Sequence, residues 1–216
     1  MNPPRVILAS GSPQRRILLR GLGIEPLVMP GTYEECRVAG ESPEAMVLRL
    51  AEGKARACAA QRCFGGISKL APDFDAHSAS PALLAAADTV VTIEGDILGK
   101  PRDLGDAFHM LLRLSGREHR VLTGLALARM PEGYVGGALD FDMSLAETKV
   151  RFRTLDEREI HAYLDREDVL GAAGSYRVQG LGVLLLDSIE GSWSNIIGLP
   201  LELFAARARG LGVCFL

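Results

Sequence analysis

The sequence predicts an α/β or α+β fold, and three observations carry that reading. Short apolar runs alternate with stretches of helical period, as expected of strands and helices packed in layers. The 216 residues can bury one substantial core, as one domain or as two lobes sharing a cleft. Neither an internal repeat nor a linker divides them, so residues 1–216 are expected to form a single unit.

In chain order, Val6–Ala9 reads as a short buried strand. Ser12-Pro13 then supplies an N-cap and a first-turn proline for a helix to about Gly21. Ser42-Pro43-Glu44 repeats that signal for a longer helix through about Cys63. Phe64–Pro81 is rich in Gly, Pro, Ser and Asp and lacks a period, which marks an exposed loop or insertion. Leu83–Ile93 is a strand, Glu94-Gly95-Asp96 a turn, and Ile97–Gly99 the returning strand of a hairpin. Asp103 caps a helix whose Leu104, Ala107, Phe108, Leu111 and Leu114 share one stripe. Two long strands follow, His119–Arg129 and Phe141–Phe152, around a Gly-rich turn at Gly133–Gly137. Asp156 and Glu159 form a capping box for a helix to Leu164. Beyond the Gly-rich stretch Gly171–Gly182, a strand is expected at Val183–Ile189 and a last helix from about Pro200.

A net charge of −3 gives no basic footprint for duplex DNA or RNA. A nucleotide bound here would be a free small molecule. The apolar run Val6–Ala9 is too short for a signal-peptide core, and no stretch approaches a membrane span without a charge or a glycine break. A cytoplasmic location without a membrane partner is therefore expected. Cys36, Cys58, Cys63 and Cys214 form neither a CxxC pair nor a Cys/His group, so reduced thiols are expected.

Four charged features conflict with local rules, and such conflicts mark sites. Arg15 and Arg16 stand at the positive end of the first helix dipole, either solvated or facing a bound anion. Lys54 falls on the apolar stripe Val47, Leu50, Ala51, Ala57 and Cys58, either snorkelling to the rim or meeting an anion in a cleft. Asp88 interrupts the apolar run Leu84–Val91, where an ionised carboxylate is costly unless paired or bound to metal. It is a base or Mg²⁺ ligand, or else a strand-end aspartate reaching solvent or a helix N-terminus. Lys100, held extended by Pro101, either presents a point charge to a phosphate or is an ordinary turn lysine. Together these residues are an inventory for handling a triphosphate through a divalent cation. The Walker pattern GxxxxGK[ST] is absent.

At these residues the chain resembles the Maf family of nucleoside triphosphate pyrophosphatases, relatives of the inosine-triphosphate pyrophosphatases. Leu8-Ala9-Ser10-Gly11-Ser12-Pro13-Gln14-Arg15-Arg16 is similar to LASxSPRR, Lys54-Ala55 to the helix KA, and Ala87-Asp88-Thr89-Val90-Val91 to ADTxV. Leu98-Gly99-Lys100-Pro101 matches LGKP, and Met110 through Thr123 matches MLxxLSGxxHxVxT. Ala173 through Gly180 resembles AGxYxIQG, and Gly198-Leu199-Pro200 closes with GLP. The resemblance implies an elongated mixed central sheet flanked by helices, two lobes around a cleft, and a homodimer. It also implies attack of water on the α-phosphate of a nucleoside triphosphate, dependent on a divalent cation (Mg²⁺ or Mn²⁺).

Carried over by position, Asp88 is the proton acceptor and a metal ligand. Ser12, Arg15, Lys54 and Lys100 form the phosphate-binding set, with Ser12 a helix cap rather than a nucleophile. Glu34 or Glu35 matches an acidic position for the metal, and Glu35 is taken as the second ligand. Gln14, Thr89 and Gln179 occupy positions tied to base choice, the last two matching the subgroup similar to dTTP/UTP pyrophosphatases. His119 reads as structural, while Tyr176 and Trp193 either stack on a base or pack. Three departures stand out: Gln14 replaces the first arginine of SPRR, Ala172 the lysine before AGxY, and Phe64–Pro81 is longer than the usual connection. Two alternatives remain, the same hydrolysis on a modified or methylated nucleotide and a non-catalytic nucleotide-binding regulator of cell division.

Overall fold

The computed structural model describes residues 5–61, 82–131, 134 and 138–215. The expected insertion at 64–81, the end of the second helix near Cys63, and all of the Gly133–Gly137 turn but Tyr134 lie outside them. The fold is mixed α/β, as the sequence predicts. Among the described residues seven strands form one sheet: β1 (Arg5–Leu8), β2 (Leu27–Val28), β3 (Ala82–Ile93), β4 (Asp96–Leu98), β5 (Glu118–Met130), β6 (Asp142–Phe152) and β7 (Leu186–Glu190). Among the described residues six helices flank it: α1 (Pro13–Gly21), α2 (Pro43–Ala59), α3 (Leu104–Leu114), α4 (Glu157–Leu164), α5 (Trp193–Ile197) and α6 (Leu201–Gly210). None of the described helices is long and apolar enough to cross a membrane.

The helix starts follow their caps. Ser12 and Ser42 each accept a backbone N–H ahead of a first-turn proline, and Asp103 accepts from Asp106 N at 2.7 Å. Asp156 and Glu159 close the expected capping box, with bonds of 2.8 and 3.0 Å.

Strand order is β2-β1-β3-β5-β6-β7, parallel at β2-β1-β3 and antiparallel from β3 to β7. Strand β3 organises the molecule. One of its edges pairs with β5 from Ala82 to Thr92. Its other edge pairs with β1 over Ala82–Ala85 and with β4 over Val91–Ile93. Among the described residues no strand covers that edge from Ala86 to Val90, and Asp88 stands in the middle of the gap. The period of two sorts the faces. Leu83, Ala85 and Ala87 pack with Leu19 of α1 and Phe204 and Ala208 of α6. Leu84 and Ala86 pack with Ala51, Ala55 and Cys58 of α2, which places Asp88 on the α2 face.

The sequence departs from this fold in small elements. Strand β2 has two residues and exists by pairing with Ile7 and Leu8. Val183–Ile189, expected to be one strand, begins as a 3-10 turn over Gly180–Leu185, with Val183 and Leu184 49% and 60% exposed, and only Leu186 onward joins the sheet. Helix α5 and a 3-10 turn at Ala173–Ser175 were not foreseen.

Candidate active site

The gap in β3 opens into a cavity of about 730 Å³. Its walls come from the start of α1, the segment after β2, the middle of α2, β3, the end of the β3–β4 hairpin, the strap 171–179 and the end of α5. Ser12, Gln14, Arg15, Glu35, Lys54, Asp88, Thr89, Lys100 and Gln179 all line it.

Asp88 is 6% exposed, in a strand whose residues are otherwise all buried except Thr89. Its charge is met by Lys54, whose Nζ lies 2.5 Å from Oδ1 and 2.9 Å from Glu35 Oε1. Lys54 therefore neither snorkels to solvent nor waits free for an anion: it bridges two carboxylates. Such a bridge compensates the desolvation of Asp88. Two carboxylates around one cation position also suit a hard divalent ion, which commonly takes one or two carboxylates and completes its shell with substrate phosphates and water. Among the described residues no group of three or more His, Cys, Asp or Glu side chains has metal-binding geometry, so the remaining ligands would be substrate oxygens and water. Glu34 is exposed and does not line the cavity.

Arg15 is 8% exposed and already committed to the protein. Its Nε donates to Gly198 O at 2.7 Å, Nη1 to Ser10 Oγ at 2.8 Å and Nη2 to Thr89 Oγ1 at 3.2 Å. Three of the five guanidinium N–H groups are thus used, leaving two for a ligand. Burial pulls its pKa below the ordinary value while Asp88 and Glu35 push it up, and a guanidinium stays charged. Thr89 Oγ1 also meets Thr123 Oγ1 at 2.9 Å, so this hydroxyl lies within the polar cluster beneath Arg15.

Other residues meet the sequence expectations unevenly. Arg16 does not join Arg15 in the cavity; it pairs with Glu25 at 2.6 Å on the surface. Lys100 is exposed at the cavity edge and makes no ion pair with the described residues. Trp193 is 43% exposed and lies outside the cavity, so it cannot stack on a ligand there. Tyr176 lines the wall but is 5% exposed, with its Oη bonded to His119 and its ring edge-on to Phe152, a packing arrangement.

Sequence reasoning did not single out Tyr33, Arg37 and Arg177, which also line the cavity. Arg37 reaches Ile97 O at 3.4 Å and Arg177 reaches Asp168 at 3.6 Å, long contacts that leave both guanidinium groups loosely held. Neither breaks a local pattern, so no sequence signal marked them.

Comparison with known proteins agrees with this picture. A family model described as Maf-like protein matches residues 5–210. The chain is 40% identical over 208 residues to a dTTP/UTP pyrophosphatase of Anaeromyxobacter sp., covering 96% of this chain and 90% of that protein. It is 36% identical over 210 residues to a dTTP/UTP pyrophosphatase of Caldanaerobacter subterraneus, covering 97% and 90%. A third protein of that name, from Clostridioides difficile, is 35% identical over 197 residues, covering 91% and 90%.

Proposed function

The chain belongs to the Maf family, and from that premise we propose that it hydrolyses nucleoside triphosphates to a nucleoside monophosphate and pyrophosphate, with dTTP and UTP preferred. The observation that carries the reading is a single cavity in which a buried carboxylate meets Lys54 and is flanked by Arg15 and Lys100. A triphosphate brings the opposite charge, and a bare binding surface has no need of Asp88 at its floor.

In this reading water attacks the α-phosphorus, the bond to the bridging oxygen breaks, and pyrophosphate leaves. Asp88 accepts the water proton at Oδ2, the oxygen not engaged by Lys54. Arg15, Lys54 and Lys100, with the Ser12-capped start of α1, supply positive charge where the leaving pyrophosphate gains negative charge. A divalent cation, Mg²⁺ or Mn²⁺, held by Asp88 and Glu35 would withdraw charge from the phosphate oxygens. Gln14 and Gln179 border the same space and would read the base, while Thr89 acts by fixing Arg15. The family likeness also supports residues 1–216 working as one unit, a homodimer, and a cytoplasmic setting.

The experiment is a panel of nucleotides, methylated ones included, assayed for pyrophosphate release with Mg²⁺. Expected are dTTP and UTP at the head of the kcat/KM ranking, and Gln14→Arg is expected to sharpen that lead. Release of orthophosphate in place of pyrophosphate would sink the proposed bond cleavage. A methylated nucleotide far ahead would overturn the substrate assignment alone.

A further inference from the structure

The strap Gly171–Gln179 carries Arg177 and Gln179 along the cavity, yet its backbone is poorly suited to holding itself. Gly174 and Ser175 both take positive φ, +68° and +62°, a region costly for any residue but glycine. Beyond one bond of its own, from Ser175 N to Ala172 O at 3.2 Å, the strap is held from outside. Gly174 N donates to Gly99 O at 3.0 Å, and Arg177 N donates to Tyr163 Oη at 3.0 Å.

A third hold is of a different kind. His119 Nε2 lies 2.9 Å from Tyr176 Oη, and the two residues are 2% and 5% exposed. Phe152 packs edge-on against both rings, at centroid separations of 5.0 and 4.9 Å. The other imidazole nitrogen, Nδ1, is buried without a partner among the described residues, which is a standing cost. An apolar ring would fill the same space and avoid that cost. What histidine supplies here is the bond to Tyr176.

We propose that His119 is a positioning residue: through Tyr176 it fixes the strap, and so sets nucleotide affinity and base discrimination without touching the nucleotide. Its kinetic consequence rests on the hydrolase reading above; its structural consequence does not. Tyr176 is the link because it lies between Ser175, where the backbone is strained, and Arg177 and Gln179, which border the ligand space.

The test uses His119→Phe, Tyr176→Phe, the double variant and His119→Gln, whose amide can again reach Tyr176. KM and kcat are measured for dTTP and GTP, together with hydrogen exchange at the Gly174 and Arg177 amides. Each phenylalanine variant is expected to raise KM for dTTP about tenfold, hold kcat within about twofold and narrow the dTTP/GTP ratio. Exchange at the two strap amides should quicken about tenfold relative to the amides of β5. The double variant should be no worse than either single one, and His119→Gln should recover most of the lost affinity. Unchanged KM and unchanged strap exchange, with only a lower melting temperature, would overturn the proposal, as would a fall confined to kcat. If the unaltered protein releases no pyrophosphate, the hydrolase reading fails and strap exchange alone decides the pin. If one phenylalanine variant does not fold, KM and exchange in the other decide it, with His119→Gln and the unaltered protein as references.

Discussion

Replacing Asp88 by asparagine keeps the shape of the side chain while removing its charge and its ability to accept a proton. The rate of pyrophosphate release is expected to fall by about 10²–10⁴-fold. Activity within a few-fold of the unaltered protein would remove Asp88 from the chemistry. The two lysines should separate cleanly. Lys54→Ala leaves Asp88 buried without its partner, so it is expected to cost about 2 kcal/mol of stability as well as activity. Lys100→Ala removes an exposed side chain with no ion pair among the described residues, so stability should change by less than about 0.5 kcal/mol. Its effect belongs in KM for the triphosphate, with binding of the monophosphate unchanged. Chemical denaturation alongside steady-state kinetics checks the pair, and equal loss of stability in both would contradict the distinction.

At the scale of elements, the approach of α2 to the sheet depends on Gly124, the β5 residue opposite Asp88. A Cβ there would lie 2.2 Å from Val47 O, a backbone atom that cannot swing away. Gly124→Ala should therefore lift α2, which carries Lys54, and cost about 1–3 kcal/mol together with activity. A melting temperature equal to the unaltered protein's would refute this close approach. The long elements were legible from sequence because pattern and caps agree: β3 is an apolar run broken only by Asp88 and two threonines, and α2 opens on Ser42-Pro43. The strand expected from Val183 was misplaced because Val183–Leu186 has a strand's composition while tertiary contacts hold its start in a turn. Arg153 Nε donates to Leu184 O, and a Cβ on Gly182 would meet Arg177 O. At the site, Asp88 and Lys54 were visible as charges on apolar surfaces. Arg15 was visible too, but not its commitment to Gly198, a residue 183 positions away that no local pattern connects to it.

For the whole molecule, His119 offers a stability signal that can be read against pH. Burial lowers its pKa from an ordinary 6.5 to about 4. Between those values the unfolded chain takes up a proton that the folded chain refuses, so stability declines as pH falls from 6.5 to about 4 and levels off below. The loss from this residue is about 3 kcal/mol. His119→Phe should lack that component, which urea melts at pH 7 and pH 4.5 would show as a smaller difference than in the unaltered protein. Parallel declines would assign the effect to other groups. The bond from Arg15 to Gly198 has a further consequence, for synthesis. A ribosome builds the α1 wall of the cavity well before Gly198, with every described strand but β1 made in between. A nascent chain stopped short of that residue would bury a guanidinium that lacks one of its three acceptors. The cavity wall is then complete only once Gly198 has been added, and a product truncated before it would leave its mark on an arginine 183 positions upstream.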